Sequence, residues 1–256
     1  MSLLQITGLA KSFGGVRAVD GVSFDLAAGE LLAMIGPNGA GKSTTFNLLN
    51  GQLRADAGSI QLDGQELVGL APRQVWQRGV GRTFQIAETF LSLTVVENVQ
   101  MALLAADRRL WSFWRKAADH RRDDALALLA QVGMQAQADR PCGVLAYGDV
   151  KRVELAMAMA SNPQLLLMDE PTAGMAPSER HALMALTRQL VKDRGMAVLF
   201  TEHSMDVVFA HADRLIVLAR GRLIAEGTPA DVRANPEVQA VYFGTGKTFE
   251  TPGRAA

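Results

Sequence analysis

The chain has 256 residues, 48% of them apolar and 20% charged, a balance that gives a globular protein with a sizeable core and excludes a disordered one. Lys+Arg and Asp+Glu each total 26, so no global positive field exists to draw the chain to nucleic acid. The single cysteine, Cys142, excludes an internal disulfide and a thiolate metal cluster and is expected as a small core residue.

The first residues, Met1-Ser2-Leu3-Leu4-Gln5, lack the basic and long apolar stretches of a signal peptide. No apolar run approaches the ~18 residues of a membrane span, so the expectation is a cytosolic chain that meets membranes only through partners. Apolar stretches at residues 3–9 and 22–26 predict strands, and residues 30–35 predict a buried one. The last runs into Gly36-Pro37-Asn38-Gly39-Ala40-Gly41, after which an apolar-patterned helix extends to about residue 49. Residues 59–62 predict a further strand before the hairpin pair Asp63-Gly64. Thr94-Val95-Val96-Glu97 is a capping box that opens a helix to about residue 106. Another helix is expected over residues 116–132, stopped by Gly133. Between about residues 86 and 162 no strand pattern occurs.

Alternation then resumes: a strand at 164–168, a helix with Pro177 at its start and Gly195 past its end, a strand at 196–201, a helix at 204–212, a strand at 215–219, and a last helix opened by Thr228-Pro229. This order predicts an α/β fold with a parallel sheet, an antiparallel β portion and an inserted α-helical subdomain. The expected units are residues 1–86 (first part of the core), 87–162 (helical subdomain), 163–244 (second part of the core) and a frayed tail, 245–256. Met157 and Met159 are expected in the core, and His120, His181 and His211 lack metal-ligand spacing.

Gly36 to Ser43 fills every position of G-x-x-x-x-G-K-[ST], between a predicted strand and a predicted helix. Glycines let several backbone N–H groups converge on one anion, and the following helix aims its positive end at the same point. Lys42 can reach β- and γ-phosphates, and the Ser43 hydroxyl can ligate Mg²⁺. The nucleotide set taken from this loop is Gly36, Pro37, Asn38, Gly39, Ala40, Gly41, Lys42, Ser43 and Thr44. Gly244-Thr245-Gly246-Lys247-Thr248 resembles half of the motif, but lacks its first glycine and a preceding strand, and is expected as a terminal loop.

The apolar strand Leu165-Leu166-Leu167-Met168 ends in Asp169-Glu170. Beside a phosphate loop at the carboxyl edge of a sheet, Asp169 would hold Mg²⁺ and Glu170 would polarise the attacking water. The two motifs together predict a P-loop (RecA-like) nucleoside triphosphatase. No Asn-Lys-x-Asp guanine reader is present, which disfavours GTP.

Leu145-Ala146-Tyr147-Gly148-Asp149, ahead of an expected helix from Val150 to about residue 161, resembles the signature segment of ATP-binding-cassette (ABC) ATPases. Thr201-Glu202-His203 is similar to their switch-histidine strand end, Thr83-Phe84-Gln85 to their glutamine loop, and Phe13 to the aromatic that stacks on adenine. Gly81-Arg82-Thr83-Phe84-Gln85, Leu93-Thr94-Val95-Val96-Glu97-Asn98, Ala173-Gly174-Met175-Ala176-Pro177 and the stretch from Asn235 to Tyr242 resemble the ATP-binding subunits of branched-chain amino-acid importers. The long insert at residues 107–122 is similar to the larger ATPase of that system.

The resemblance implies ATP and Mg²⁺ as ligands, with Lys42, Glu170 and His203 catalytic, Ser43, Gln85 and Asp169 at the metal, and Leu145, Ala146 and Gly148 against the nucleotide of a facing subunit. It also implies two integral-membrane permeases, a second ATPase subunit (heterodimer, or homodimer in isolation) and an outside solute-binding protein, with the chain peripheral on the cytoplasmic face of the inner membrane. Its solute would be a branched-chain amino acid, urea, an amide or an aromatic acid. The alternative is a soluble cassette ATPase acting on nucleic acid or ribosomes, against which stand the zero net charge and the single cassette.

Gly148 is expected to leave room for a close backbone approach, with the helix start near Asp149 pointing its positive end at the facing subunit's γ-phosphate. The signature's usual serine is Ala146, which removes a hydroxyl donor worth about 1–3 kcal/mol if nothing replaces it. Asp149 replaces the usual glutamine and brings a negative charge towards the incoming phosphate, so the site built from this segment is expected to be the weaker of a pair. Ala176 stands where many cassettes carry an aspartate. The aromatic and basic stretch with Trp111, Phe113 and Trp114 is read either as a docking surface or as a solvated helix packed on the subdomain.

Overall fold

The computed structural model of the chain describes residues 2–83, 89–107 and 121–243. A four-stranded antiparallel sheet holds the N-terminal strands in the order β2-β1-β4-β5, formed by β1 (Ser2–Phe13), β2 (Val16–Ala27), β4 (Ala57–Leu62) and β5 (Gln65–Glu66). β1 and β2 each run 12 residues, longer than expected, because register shifts carry the ladder past Gly8 and Gly21 at positive φ and break the alternation a sequence reader follows. Asp63 and Gly64 both take positive φ between β4 and β5, as a two-residue hairpin requires.

The second sheet has six strands in the order β10-β9-β3-β8-β7-β6. They are β3 (Leu31–Ile35), β6 (Val80–Thr83), β7 (Leu165–Asp169), β8 (Ala197–Thr201), β9 (Arg214–Ala219) and β10 (Arg222–Gly227), parallel except for β10. Both faces are covered, which explains why β3, β7 and β8 read as unbroken apolar runs. Leu31, Ala33 and Ile35 face one core and Leu32 and Met34 the other. The first core is closed by α3 (Val95–Ala106), α4 (Arg122–Gln131), α5 (Tyr147–Met159), α6 (Pro177–Arg194) and α7 (Met205–His211). The second is closed by the antiparallel sheet, α1 (Lys42–Leu49) and α2 (Pro72–Gln77). Cys142, Met159 and the inner face of α3 are buried as expected, and Met157 is half-buried.

Several boundaries differ from expectation. β6, α2 and β10 carry no clear pattern: β6 is four residues containing a glycine and an arginine, and it exists because β7 supplies its ladder at the sheet edge. Arg121, at φ +49, is not helical backbone, so the helix expected from residue 116 starts later, as α4. The signature helix starts at Tyr147, with Ala146 as its N-cap, rather than at Val150. The expected last helix is two, α8 (Pro229–Ala234) and α9 (Pro236–Phe243). The break falls at Asn235, whose side-chain oxygen accepts from the Glu237 and Val238 N–H groups and caps α9 afresh.

Candidate functional site

Four adjacent strands deliver the sequence-identified residues to one edge of the six-stranded sheet, the carboxyl edge where α/β sheets place ligands. β3 runs into the phosphate loop, β8 into Glu202-His203, β7 into Asp169-Glu170, and β6 brings Arg82.

The loop's shape is forced by its neighbours. A Cβ on Gly36 would stand 2.3 Å from the Leu218 carbonyl oxygen, and one on Gly41 2.4 Å from that of Ala18, so β9 and β2 press on it from two sides. Gly41, at φ +104, precedes α1, and Gly221 N–H donates to the Ala40 carbonyl at 3.0 Å. Lys42 bends back over the loop: its Nζ donates to the carbonyls of Gly36 (2.6 Å) and Pro37 (3.2 Å). Burial pushes the Lys42 ammonium below the usual lysine range, while the charges of Glu170 and Asp169 pull it back up. The ammonium is thus held by neutral carbonyls at hydrogen-bond distance, which the charged oxygens of a phosphate could replace. Ser43, beside it, is exposed.

The acidic pair and the switch histidine meet directly. His203 Nε2 lies 2.8 Å from Glu170 Oε1. Glu170 takes left-handed backbone, φ +48, which costs a non-glycine residue about 1–2 kcal/mol. Its N–H is held there by the Thr201 carbonyl (3.2 Å) and hydroxyl (3.1 Å). Thr201 Oγ1 in turn donates to Asp169 Oδ1 at 2.8 Å. Strain kept by surrounding bonds, at a carboxylate touching an imidazole, is the pattern of a working site.

Phe13 stands 48% exposed at the end of β1, with the Lys11 ammonium 5.6 Å from its ring centre. Leu145 packs on the first core, Ala146 is exposed, and Gly148 and Asp149 lie in the first turn of α5. A Cβ on Gly148 would meet the side-chain ends of Glu179 and Met175 of this same chain at 3.3–3.4 Å, so the missing side chain also serves the chain's own packing. Gln85, His120, the stretch from Trp111 to Trp114, and Gly244 to Thr248 lie outside the described residues. His181 and His211 pair with each other, Nδ1 to Nε2, at 3.0 Å. Among the described residues no group of three or more His, Cys, Asp or Glu could hold a metal.

Five residues at the site were given no role of their own from the sequence, even where a motif includes them. Arg82 donates to Asn47 (3.0 Å) and Gln52 (2.9 Å) and stands 3.4 Å from Asp169. Thr201, Glu202 and Arg180 bond across the strand ends. Tyr242 lies on α9, and burial pushes its phenol far above the usual range while the Gly36 backbone pulls it back. None carries a local signal, because each acts through a partner distant in the chain.

The family model described as "ABC transporter" matches residues 19–173, and one described as "Branched-chain amino acid ATP-binding cassette transporter" matches residues 222–248. Among curated proteins, the chain is 38% identical over 252 residues to the high-affinity branched-chain amino acid transport ATP-binding protein BraF of Pseudomonas aeruginosa, covering 94% of this chain and 98% of that one. It is 38% identical over 250 residues to the corresponding LivG of Escherichia coli, with 94% and 98% covered. Among solved structures, the ADP conformation of MJ1267, an ATP-binding cassette of an ABC transporter, is 31% identical, with a TM-score of 0.85 over 95% of this chain and 99% of that one.

Proposed function

The chain belongs to the ABC transporter family of ATP-binding ATPases, and from that premise we propose that it powers import of branched-chain amino acids, or of a related small solute such as urea, an amide or an aromatic acid. The observation that carries the reading is the meeting of the Lys42 loop with the Glu170–His203 pair at one sheet edge, in a chain whose transport relatives match it nearly end to end.

MgATP is the substrate. The Ser43 hydroxyl and the Asp169 carboxylate are hard oxygen donors that would hold Mg²⁺, with Gln85 as a further donor, and the ion would supply neutralisation of phosphate charge. Phe13 stacks on the adenine. Lys42 leaves the Gly36 and Pro37 carbonyls and moves onto the β- and γ-phosphates, exchanging a neutral acceptor for a charged one. Glu170 orients a water in line with the γ-phosphorus and takes one of its protons as the new P–O bond forms. The bond from γ-phosphorus to the bridging oxygen breaks, and its electron pair leaves with ADP. His203 moves from Glu170 to the γ-phosphate and stabilises the charge there.

Glu170 and Lys42 serve one nucleotide, and the signature segment of a facing ATPase subunit closes over it. Two permease subunits receive the movement, an extracytoplasmic binding protein delivers the solute, and the chain sits on the cytoplasmic membrane face; among the described residues no helix is long and apolar enough to cross the membrane. For the permease contact the fold offers a groove of about 370 Å³ between core and helical subdomain, lined by Trp76, Val80, Ala102, Ala105 and Met157, with Arg82 at its inner end. Because Arg82 also reaches Asp169, a short permease helix in this groove would touch the nucleotide site through one side chain.

The test is reconstitution with its permease and binding-protein partners. Leucine, isoleucine or valine on the binding protein should stimulate ATP turnover, and Lys42→Ala should abolish it. Stimulation by none of the proposed solutes would overturn the transport reading.

A further inference from the structure

We infer that Glu202 is a positioning residue for ATP hydrolysis: with Thr172 it clamps the two chain segments that carry Glu170 and His203 and sets how those groups face each other. This rests on the roles given above to Glu170 and His203.

The last paired residues of β7 and β8 are Asp169 and Thr201. Beyond them the strands part, yet side chains continue the ladder. The Thr201 hydroxyl bridges Asp169 and the Glu170 N–H. Glu170 meets His203. Glu202 supplies the outermost rung. Its Oε1 accepts from the Thr172 N–H (2.8 Å) and hydroxyl (2.6 Å), and its Oε2 accepts from the His203 N–H at 3.2 Å. One oxygen thus holds the loop two residues after Glu170, and the other holds the backbone of His203 itself.

The clamp is dry. Glu202 is 4% exposed and Thr172 is 0% exposed. A buried carboxylate is costly unless donors surround it, and an apolar residue would close a strand end with no such cost. Here all three neighbours are donors, so the site calls for an acceptor on both sides. Glutamine cannot supply this, because its NH₂ group would face a donor on one of them. The loop that Glu202 holds, residues 171–176, is also strapped to the switch segment by Arg180, which donates to the Met175 carbonyl (2.8 Å) and the Ser204 hydroxyl (2.9 Å). The same loop lies against the signature segment: Gly174 is 3.5 Å from Tyr147, measured from its ideal Cβ position. Glu202 therefore stands where a shift of the loop becomes a shift of His203.

The test compares Glu202→Gln, Thr172→Val, Thr172→Ser and Glu170→Gln in the full chain, measuring kcat, KM for ATP and thermal unfolding. Glu202→Gln should lower kcat about tenfold or more while KM stays within about twofold, the effect expected when a charged hydrogen bond acts in the transition state only. Thr172→Val, close to isosteric, keeps the N–H donor, so it should lose less and should fold even if Glu202→Gln does not. Thr172→Ser should restore what Thr172→Val loses. The inference is overturned if Glu202→Gln and Thr172→Val keep kcat within about twofold, or if their losses follow lowered stability with KM rising in step. If Glu170→Gln itself retains turnover, the reading of the catalytic pair fails; if Glu170→Gln is inactive and Glu202→Gln is not, the clamp alone fails.

Discussion

At the carboxyl edge of the six-stranded sheet Lys42, Asp169, Glu170 and His203 each have a named partner within 3 Å: the Gly36 carbonyl for the lysine, Thr201 for Asp169, and each other for the last two. The signature segment is built the other way. Ala146 is an exposed N-cap with no side-chain hydrogen bond and Tyr147 is exposed, while Gly148 behind them is buried and Asp149 half-buried. The Asp149 N–H donates to the Ala146 carbonyl at 3.0 Å, so this turn is closed by its own backbone rather than by a capping side chain. The first region is tied together by side chains from several strand ends, and the second is closed by backbone.

The largest expected effect tests the first region. Lys42→Ala removes the buried cation, and ATP turnover should fall about 10²- to 10³-fold, as for the loss of a charge aimed at developing negative charge. A loss under tenfold would mean that the lysine's bonds to its own loop, and not phosphate contact, are its role.

Proton linkage sharpens the same point. Burial lowers the Lys42 pKa, so in the free protein its ammonium is lost at a lower pH than an ordinary lysine's. A bound triphosphate favours the charged form, so ATP affinity should decline as pH rises through that lowered value, with proton uptake by Lys42 on binding where the free ammonium has begun to titrate. Isothermal titration in two buffers of different ionisation enthalpy measures this; proton release would contradict it.

The second region responds more modestly. Asp149→Gln removes a negative charge from the first turn of α5, and turnover of the assembled ATPase pair should rise a few-fold, about 0.5–1 kcal/mol at an exposed helix start. Unchanged turnover would show that Asp149 does not face the incoming phosphate.

The smallest effect lies in the helical subdomain, away from nucleotide. Thr94 caps α3 and its N–H and hydroxyl hold Glu97 below the usual carboxylate range. A depressed carboxylate pKa stabilises the fold above its unfolded value and loses that contribution as pH falls through the folded one. Thr94→Ala should cost about 1 kcal/mol at neutral pH, less in acid, and leave ATP affinity unchanged. Chemical denaturation at pH 7 and pH 4 checks both.

How much was legible in the sequence follows the same division. The phosphate loop, the acidic strand and the capping box of α3 are local patterns, in which neighbouring residues do the work, and each lies where its spacing placed it. β6 and β10 were missed because their strand character comes from β7 and β9. That Gly148 also makes room for Glu179 of the same chain could not be read from the sequence, because the two residues lie far apart along it. Glu202 entered the sequence reading only as the middle of Thr201-Glu202-His203; only the partner Thr172, from another strand's end, makes it an acceptor in a dry clamp. Residues whose role is set by a distant partner are silent in a single sequence.

The most direct measurement pairs MgATP affinity with single-turnover hydrolysis for Glu170→Gln. If Glu170 positions and deprotonates the attacking water, the variant binds MgATP as tightly as the unaltered chain and hydrolyses it at least about 10²-fold more slowly. Hydrolysis at the unaltered rate, or a loss accounted for by weakened binding, would contradict the account.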